Sequence, residues 1–300
     1  MAHLALAPLV GRRRELELLV AALVRARGER SPEVVTLVGP AGIGKSRLVH
    51  ELMGLVEADD ELISWRQGRS LPYGDSVAHL ALAEIVRAQA GILDTDETAA
   101  HAAKLDAAVD ALLPERAEAE WVQSHLRPLA GLGGGVELRG DRRADAFAAW
   151  RRFFEALAAE RPLVLVFEDV QWADDGLLDF VEHLVAWSAP VPLLVVCTAR
   201  PELLDRRPEW APTVVLDALA DDERRRCSTS SCSIRSSPTC ARRSWSAQAA
   251  IRSTLSSSRG CSTSAGPATP CRSLRPSRIS SPRGSTRSGS RRRRCSRTPP

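Results

Sequence analysis

The chain has 300 residues, enough for one large domain or two ordinary ones. Its 41 basic and 37 acidic residues are unevenly placed: from Arg224 onward there are 18 Arg, no Lys and no acid. Residues 1–223 therefore hold 23 basic against 37 acidic, a net −14, while the rest holds +18. No apolar run approaches the ~18 residues that a bilayer-spanning helix needs. Met1–Val10 lacks the basic stretch that precedes the apolar core of a secretory signal. The expectation is a cytoplasmic protein with no membrane partner. Six of the seven Cys follow residue 226, without zinc-type spacing. Cys197 lies in an apolar run and reads as a buried, inert thiol.

Val34-Val35-Thr36-Leu37-Val38 is short, apolar and β-branched, as a buried parallel strand should be. Directly after it stands Gly39-Pro40-Ala41-Gly42-Ile43-Gly44-Lys45-Ser46, which fits the phosphate-binding loop pattern. Leu48, Val49, Leu52, Leu55 and Val56 then recur at helical spacing. Strand, glycine loop and helix together give that pattern its chemical context. The glycines let successive amides turn inward, and the positive end of the helix adds to the anion cradle. Lys45 is expected to reach the β- and γ-phosphates, and Ser46 to bind Mg²⁺. Arg47, next along, is grouped with the nucleotide-binding residues.

A weaker strand lies near Leu62–Trp65, and residues 76–158 read as helical. Val77, Leu80, Leu82, Ile85 and Val86 mark one amphipathic stretch, and Ala-rich segments at 99–112 and 144–159 mark others. Gly131-Leu132-Gly133-Gly134-Gly135 reads as a linker, and Trp150, Phe153, Phe154 and Leu157 as core. Leu163–Phe167 forms the next buried strand and ends in Glu168-Asp169; a helix should begin near Asp174. Acids at the carboxyl end of a parallel strand can hold Mg²⁺ and polarise water. Spacing alone does not decide which acid does which, although Asp169 is favoured for the metal. Pro192–Cys197 is a third strand, followed by Thr198-Ala199-Arg200-Pro201. Arg200 is the candidate to touch the γ-phosphate, since its forked donors suit phosphate. Thr213–Leu216 makes a further short strand. The fold class is α/β: a P-loop NTPase with a parallel sheet flanked by helices, and a helical insertion over about 76–158.

The body resembles the signal-transduction ATPases with numerous domains (STAND), within the AAA-like P-loop ATPases. It is most similar to the ATPase modules of large bacterial LuxR-type regulators and of some cyclase-linked regulators. Leu9-Val10-Gly11-Arg12 with Glu15-Leu16 resembles the family's entry motif, Gly39–Ser46 its Walker A motif, and Thr198–Pro201 its sensor strand end. Glu168-Asp169-Val170-Gln171-Trp172-Ala173-Asp174 resembles an extended Walker B motif that is often acid-Asp-Leu-His-Trp-Ala-Asp. The resemblance implies a domain over 8–222, with Val10, Gly11 and Arg12 near the adenine. It also implies ATP/ADP with Mg²⁺, and an ATPase used as a switch. Protein partners or self-association would act through this domain, and DNA would be bound only through a domain absent here.

Residues 223–300 are rich in Ser and Arg and poor in apolar residues, the composition of a disordered basic tail. A second reading is a frameshift between about Asp222 and Arg226. With each codon's last base joined to the next two, Arg226–Ser233 can be decoded as Leu-Leu-Asp-Glu-Leu-Leu-Leu. Ala249–Thr254 can likewise give Gly-Asn-Pro-Leu-Tyr, close to a motif that the family implies after the last strand. The lid of the family would then be missing and the switch impaired. Two other functions stand beside the regulatory ATPase: a nucleic-acid-binding protein acting through its basic tail, and a P-loop phosphotransferase, for which no acceptor pocket is visible.

Overall fold

A computed structural model describes residues 9–72, 79–132, 141–210 and 212–219. The expectations for the tail from 223 to 300, the domain limit at 222, Val77 and Gly133–Gly135 lie outside the described residues. The described residues all belong to one compact unit.

The elements run α1 (Arg13–Glu29), β1 (Glu33–Val38), α2 (Lys45–Glu57), β2 (Ser64–Arg69), α3 (Leu80–Gln89), α4 (Thr98–Leu112), α5 (Arg116–Leu126) and α6 (Asp141–Glu160). There follow β3 (Leu163–Glu168), a 3-10 turn (Val170–Trp172), α7 (Asp175–Trp187), β4 (Leu193–Ala199), α8 (Glu202–Arg206) and β5 (Thr213–Val215). All five strands are parallel, in the order β2-β3-β4-β1-β5. Helices cover both faces, so the expected α/β class holds. α3 to α6 occupy the stretch between β2 and β3.

The strands sort their side chains by parity. Val35, Leu37, Val164, Val166, Leu194 and Val196 pack with α1 and α2, whose buried residues other than Lys45 are aliphatic. Leu163, Leu165, Phe167, Leu193, Val195 and Cys197 face the other way, against a core containing Trp150, Phe153, Phe154 and Phe180. Burial pushes the Cys197 thiol up to about 12, consistent with an inert buried group.

Two elements differ from the sequence reading. β2 begins at Ser64 and runs to Arg69, beyond the expected Leu62–Trp65. It is an edge strand, so its polar Ser-Trp-Arg-Gln-Gly-Arg sequence needs no buried-strand pattern. Its Gly68 has a packing reason, because a Cβ there would lie 1.9 Å from the Ala81 carbonyl oxygen. α1 had no separate expectation, yet Leu16, Leu19, Val20 and Leu23 are buried at helical spacing.

Candidate functional site

β3, β4 and β1 are neighbours in the sheet. The register places Val38 beside Ala199, and Phe167 beside Cys197. The loops that follow these three strands therefore leave one edge of the sheet together. Gly39–Ser46, Glu168-Asp169 and Arg200, which lie far apart in sequence, stand at or just beyond these strand ends.

The glycine loop folds as its composition requires. Gly42 (φ 75°) and Gly44 (φ 110°) are left-handed, and Gly44 immediately precedes α2. Gly39 has a different constraint: a Cβ there would meet Ile43 Cγ2 at 2.9 Å and Leu216 at 3.2 Å. The Gly39 amide donates to the Ala199 carbonyl at 3.1 Å, which ties the start of the loop to the end of β4. Pro40, Ala41 and Ser46 are exposed.

Lys45 is only 8% exposed. Its Nζ donates to the carbonyls of Gly39 (2.7 Å) and Pro40 (3.0 Å), and it has no ion pair among the described residues. Burial pulls the ammonium below its usual value; Asp169 opposes this, Arg200 adds to it, and Glu202 opposes it. Lys45 thus feels both the acid after β3 and the arginine after β4. A buried cation without a carboxylate partner, beside a glycine loop at a helix start, fits a phosphate chain. Exposed Ser46 and two acids fit Mg²⁺, which keeps waters and shares substrate phosphates.

Asp169 adopts a left-handed backbone, φ 56°, where a non-glycine residue is uncommon. Its amide donates to Thr198 Oγ1 at 3.0 Å, linking β3 to β4. Arg69, at the end of β2, donates to Asp169 Oδ2 from Nε (2.9 Å) and from a terminal nitrogen (2.7 Å). Glu168 is half-buried, and its carboxylate accepts no hydrogen bond among the described residues. The Arg200 guanidinium lies 5.7 Å from the Trp172 ring centroid. Asp174 caps α7 by accepting from the Leu177 amide at 3.0 Å.

The entry segment is built differently from a free ligand-binding donor. Val10 is half-buried and Gly11 is exposed with φ 72°. Arg12 is 5% exposed. Its guanidinium donates to Glu15 (2.8 Å), to the Ile43 carbonyl (3.4 Å) and to the Asp217 carbonyl. It joins α1, the glycine loop and the segment after β5. Arg47 pairs with Glu51 one turn along α2. Arg69 and Gln171 were not singled out in the sequence. Arg69 has no local signal, and Gln171 stands inside a quoted motif without a role. No helix among the described residues is long and apolar enough to cross a membrane.

A family model described as AAA ATPase domain matches residues 8–196. No curated protein sequence matches the chain. Similar solved structures include a chain of Drosophila ORC bound to DNA, with 16% identity over 71% of this chain and 44% of that one and a TM-score of 0.38. The Aeropyrum pernix ORC1 protein in complex with DNA shows 14% identity, 77% and 52% coverage and a TM-score of 0.39. The E. coli MS115-1 HORMA:CdnC:Trip13 complex shows 12% identity, 81% and 72% coverage and a TM-score of 0.30. This chain spans about half the length of the first two.

Proposed function

The chain belongs to the AAA ATPase domain family, and from that premise we propose that it is an ATP-binding regulatory module of the STAND type, a switch set by ATP or ADP with Mg²⁺. Family membership implies nucleotide binding. The observation that carries the specific assignment is Lys45: a buried ammonium, paired only with carbonyls at the mouth of a glycine cradle, within the fields of Asp169 and Arg200.

The loop's backbone amides beyond Pro40 and the Lys45 ammonium bind the phosphates. Ser46 and the adjacent acids Glu168 and Asp169 supply the metal-associated oxygens and a carboxylate that orients water. Arg200 reads the γ-phosphate from the end of β4. Bound Mg²⁺ would neutralise phosphate charge and polarise the bond to be broken. Val10 and Gly11 shape the base end of the site, and Arg12 fixes them to the loop. The domain extends over 8–222, and the module forms part of a transcriptional regulator.

Lys45→Ala tests the reading. It should lower affinity for fluorescent ADP and ATP analogues by at least about 100-fold, since hydrogen bonds to charged groups contribute about 1.5–3 kcal/mol each. An unchanged dissociation constant in a folded variant would refute the site.

A further inference from the structure

Gln171 is 6% exposed and lies between the two functional strand ends. Its Oε1 accepts the Arg200 backbone N–H at 3.0 Å, and its Nε2 donates to Asp169 Oδ1 at 3.4 Å. Those partners fix the amide orientation, because an N–H needs an acceptor and a carboxylate needs a donor. The backbone is held as well: Arg206 of α8 donates to the Gln171 carbonyl at 3.0 Å and to the Ala173 carbonyl at 3.2 Å. Both the backbone and the side chain of Gln171 therefore have partners in α8, the 3-10 turn and the β4 end.

We infer that Gln171 is a positioning residue, whose buried amide couples the Asp169 carboxylate to the β4 end that carries Arg200, so that acid and γ-phosphate sensor shift together. The inference rests on the proposed ATPase reading and gives that site an internal linkage. Asp169 is otherwise held by its amide on Thr198 and its carbonyl on the Trp172 amide, and its carboxylate is held by Arg69. Arg69 reaches it from an exposed edge strand, and its side chain is 60% exposed. Gln171 is the buried restraint on the carboxylate, and its side-chain amide hydrogen-bonds both catalytic candidates. An amide suits this duty because it donates and accepts at once without adding charge. Leu of similar size does neither, and His can do both through its two ring nitrogens.

The test compares Gln171→Leu and Gln171→His in the full chain. In the nucleotide-free protein, hydrogen exchange at the Arg200 amide should quicken in Gln171→Leu and stay near wild type in Gln171→His. In turnover assays, Gln171→Leu should lower kcat by about 10–100-fold, the usual cost of losing an orienting partner, with ATP affinity within about twofold of wild type and His restoring most of the rate. Unchanged Arg200 exchange in Gln171→Leu would overturn the coupling, whatever the turnover. Quickened exchange with unchanged kcat would overturn the positioning role. Failure of the ATPase reading would show separately, as a wild-type chain whose nucleotide affinity is absent or indifferent to Lys45→Ala.

Discussion

The two faces of the sheet are built from different materials. The face under α1 and α2 is filled by Leu, Val and Ala, with Leu19, Leu48 and Leu52 fully buried. The face under the inserted helices adds aromatics to its aliphatic residues, among them Trp150, Phe153, Phe154 and Phe180. Trp150 meets His79 edge-on at 5.1 Å and Phe180 at 5.3 Å, and its indole N–H donates to the His125 carbonyl at 2.9 Å. The glycine loop rises between β1 and α2, so nucleotide chemistry is attached to the aliphatic face. The larger buried cluster, by contrast, lies on the face that carries the insertion. Aromatic pairs have preferred geometries and fix neighbours in place; aliphatic packing tolerates small rearrangement more easily.

The largest expected effect follows from that contrast. Trp150→Ala should cost about 4 kcal/mol or more, since it removes a buried ring, several ring pairs and a hydrogen bond. Leu52→Ala should cost about 3 kcal/mol on the aliphatic face. Urea unfolding of each variant measures both. The functional response should be reversed. Leu52 lies two turns from Lys45 on the same helix, so nucleotide affinity should fall in folded Leu52→Ala but hold in the folded fraction of Trp150→Ala. Equal losses of affinity would break the division of labour between the faces.

The sequence made one face easier to read than the other. Val34–Val38, the glycines and the periodic residues of α2 are contiguous, so strand, loop and helix could be placed from local pattern alone. β3, β4 and the core roles of Trp150, Phe153 and Phe154 were legible for the same reason. β2 was read too early because an edge strand has no need of an apolar run. The contact of Arg69 with Asp169 spans 100 positions, and no periodicity predicts a pairing that only strand order creates. Gln171 sits in a recognised motif, but its role depends on the neighbouring β4 end. The entry motif gave no sign of the three protein partners of Arg12, two of which lie far along the chain.

An intermediate effect tests how firmly the site is held at its open side. Arg69 places positive charge on the Asp169 carboxylate, which a metal-bound state would also do. Removing it should ease magnesium use. An ion pair this exposed is worth at most about 1 kcal/mol, so Arg69→Ala should lower the half-saturating magnesium concentration for turnover by no more than about fivefold. A magnesium titration at fixed ATP measures it. A rise in that concentration would show that Arg69 supports the acid rather than competing for it.

The smallest expected effect is a difference in acid sensitivity between the faces. His79 is buried on the aromatic side, with neither ring nitrogen hydrogen-bonded among the described residues. Burial lowers its pKa below the ordinary 6.5; Asp174 opposes that shift and Arg143 reinforces it. The unfolded chain therefore binds this proton more readily than the folded one. Its contribution to stability is complete above about pH 6.5 and declines as pH falls from there toward the depressed folded value. His183, also lowered by burial, titrates in the same direction. Asp179 is lowered from 3.8 through its bonds to Arg143 and Arg207, against the opposing effect of burial, so its stabilisation is lost only below that pH and does not confuse the window. Asn tolerates the left-handed backbone of residue 79 (φ 62°), which makes His79→Asn the informative variant. Urea unfolding between pH 5 and 8 should show wild-type stability falling on the acid side, and His79→Asn should flatten that slope to the part owed to His183. Among the described histidines only His79 is buried, and it packs on Trp150 rather than on the aliphatic core, so Leu52→Ala should leave the slope unchanged. A slope that Leu52→Ala abolished would place the proton-sensitive contact on the nucleotide face instead.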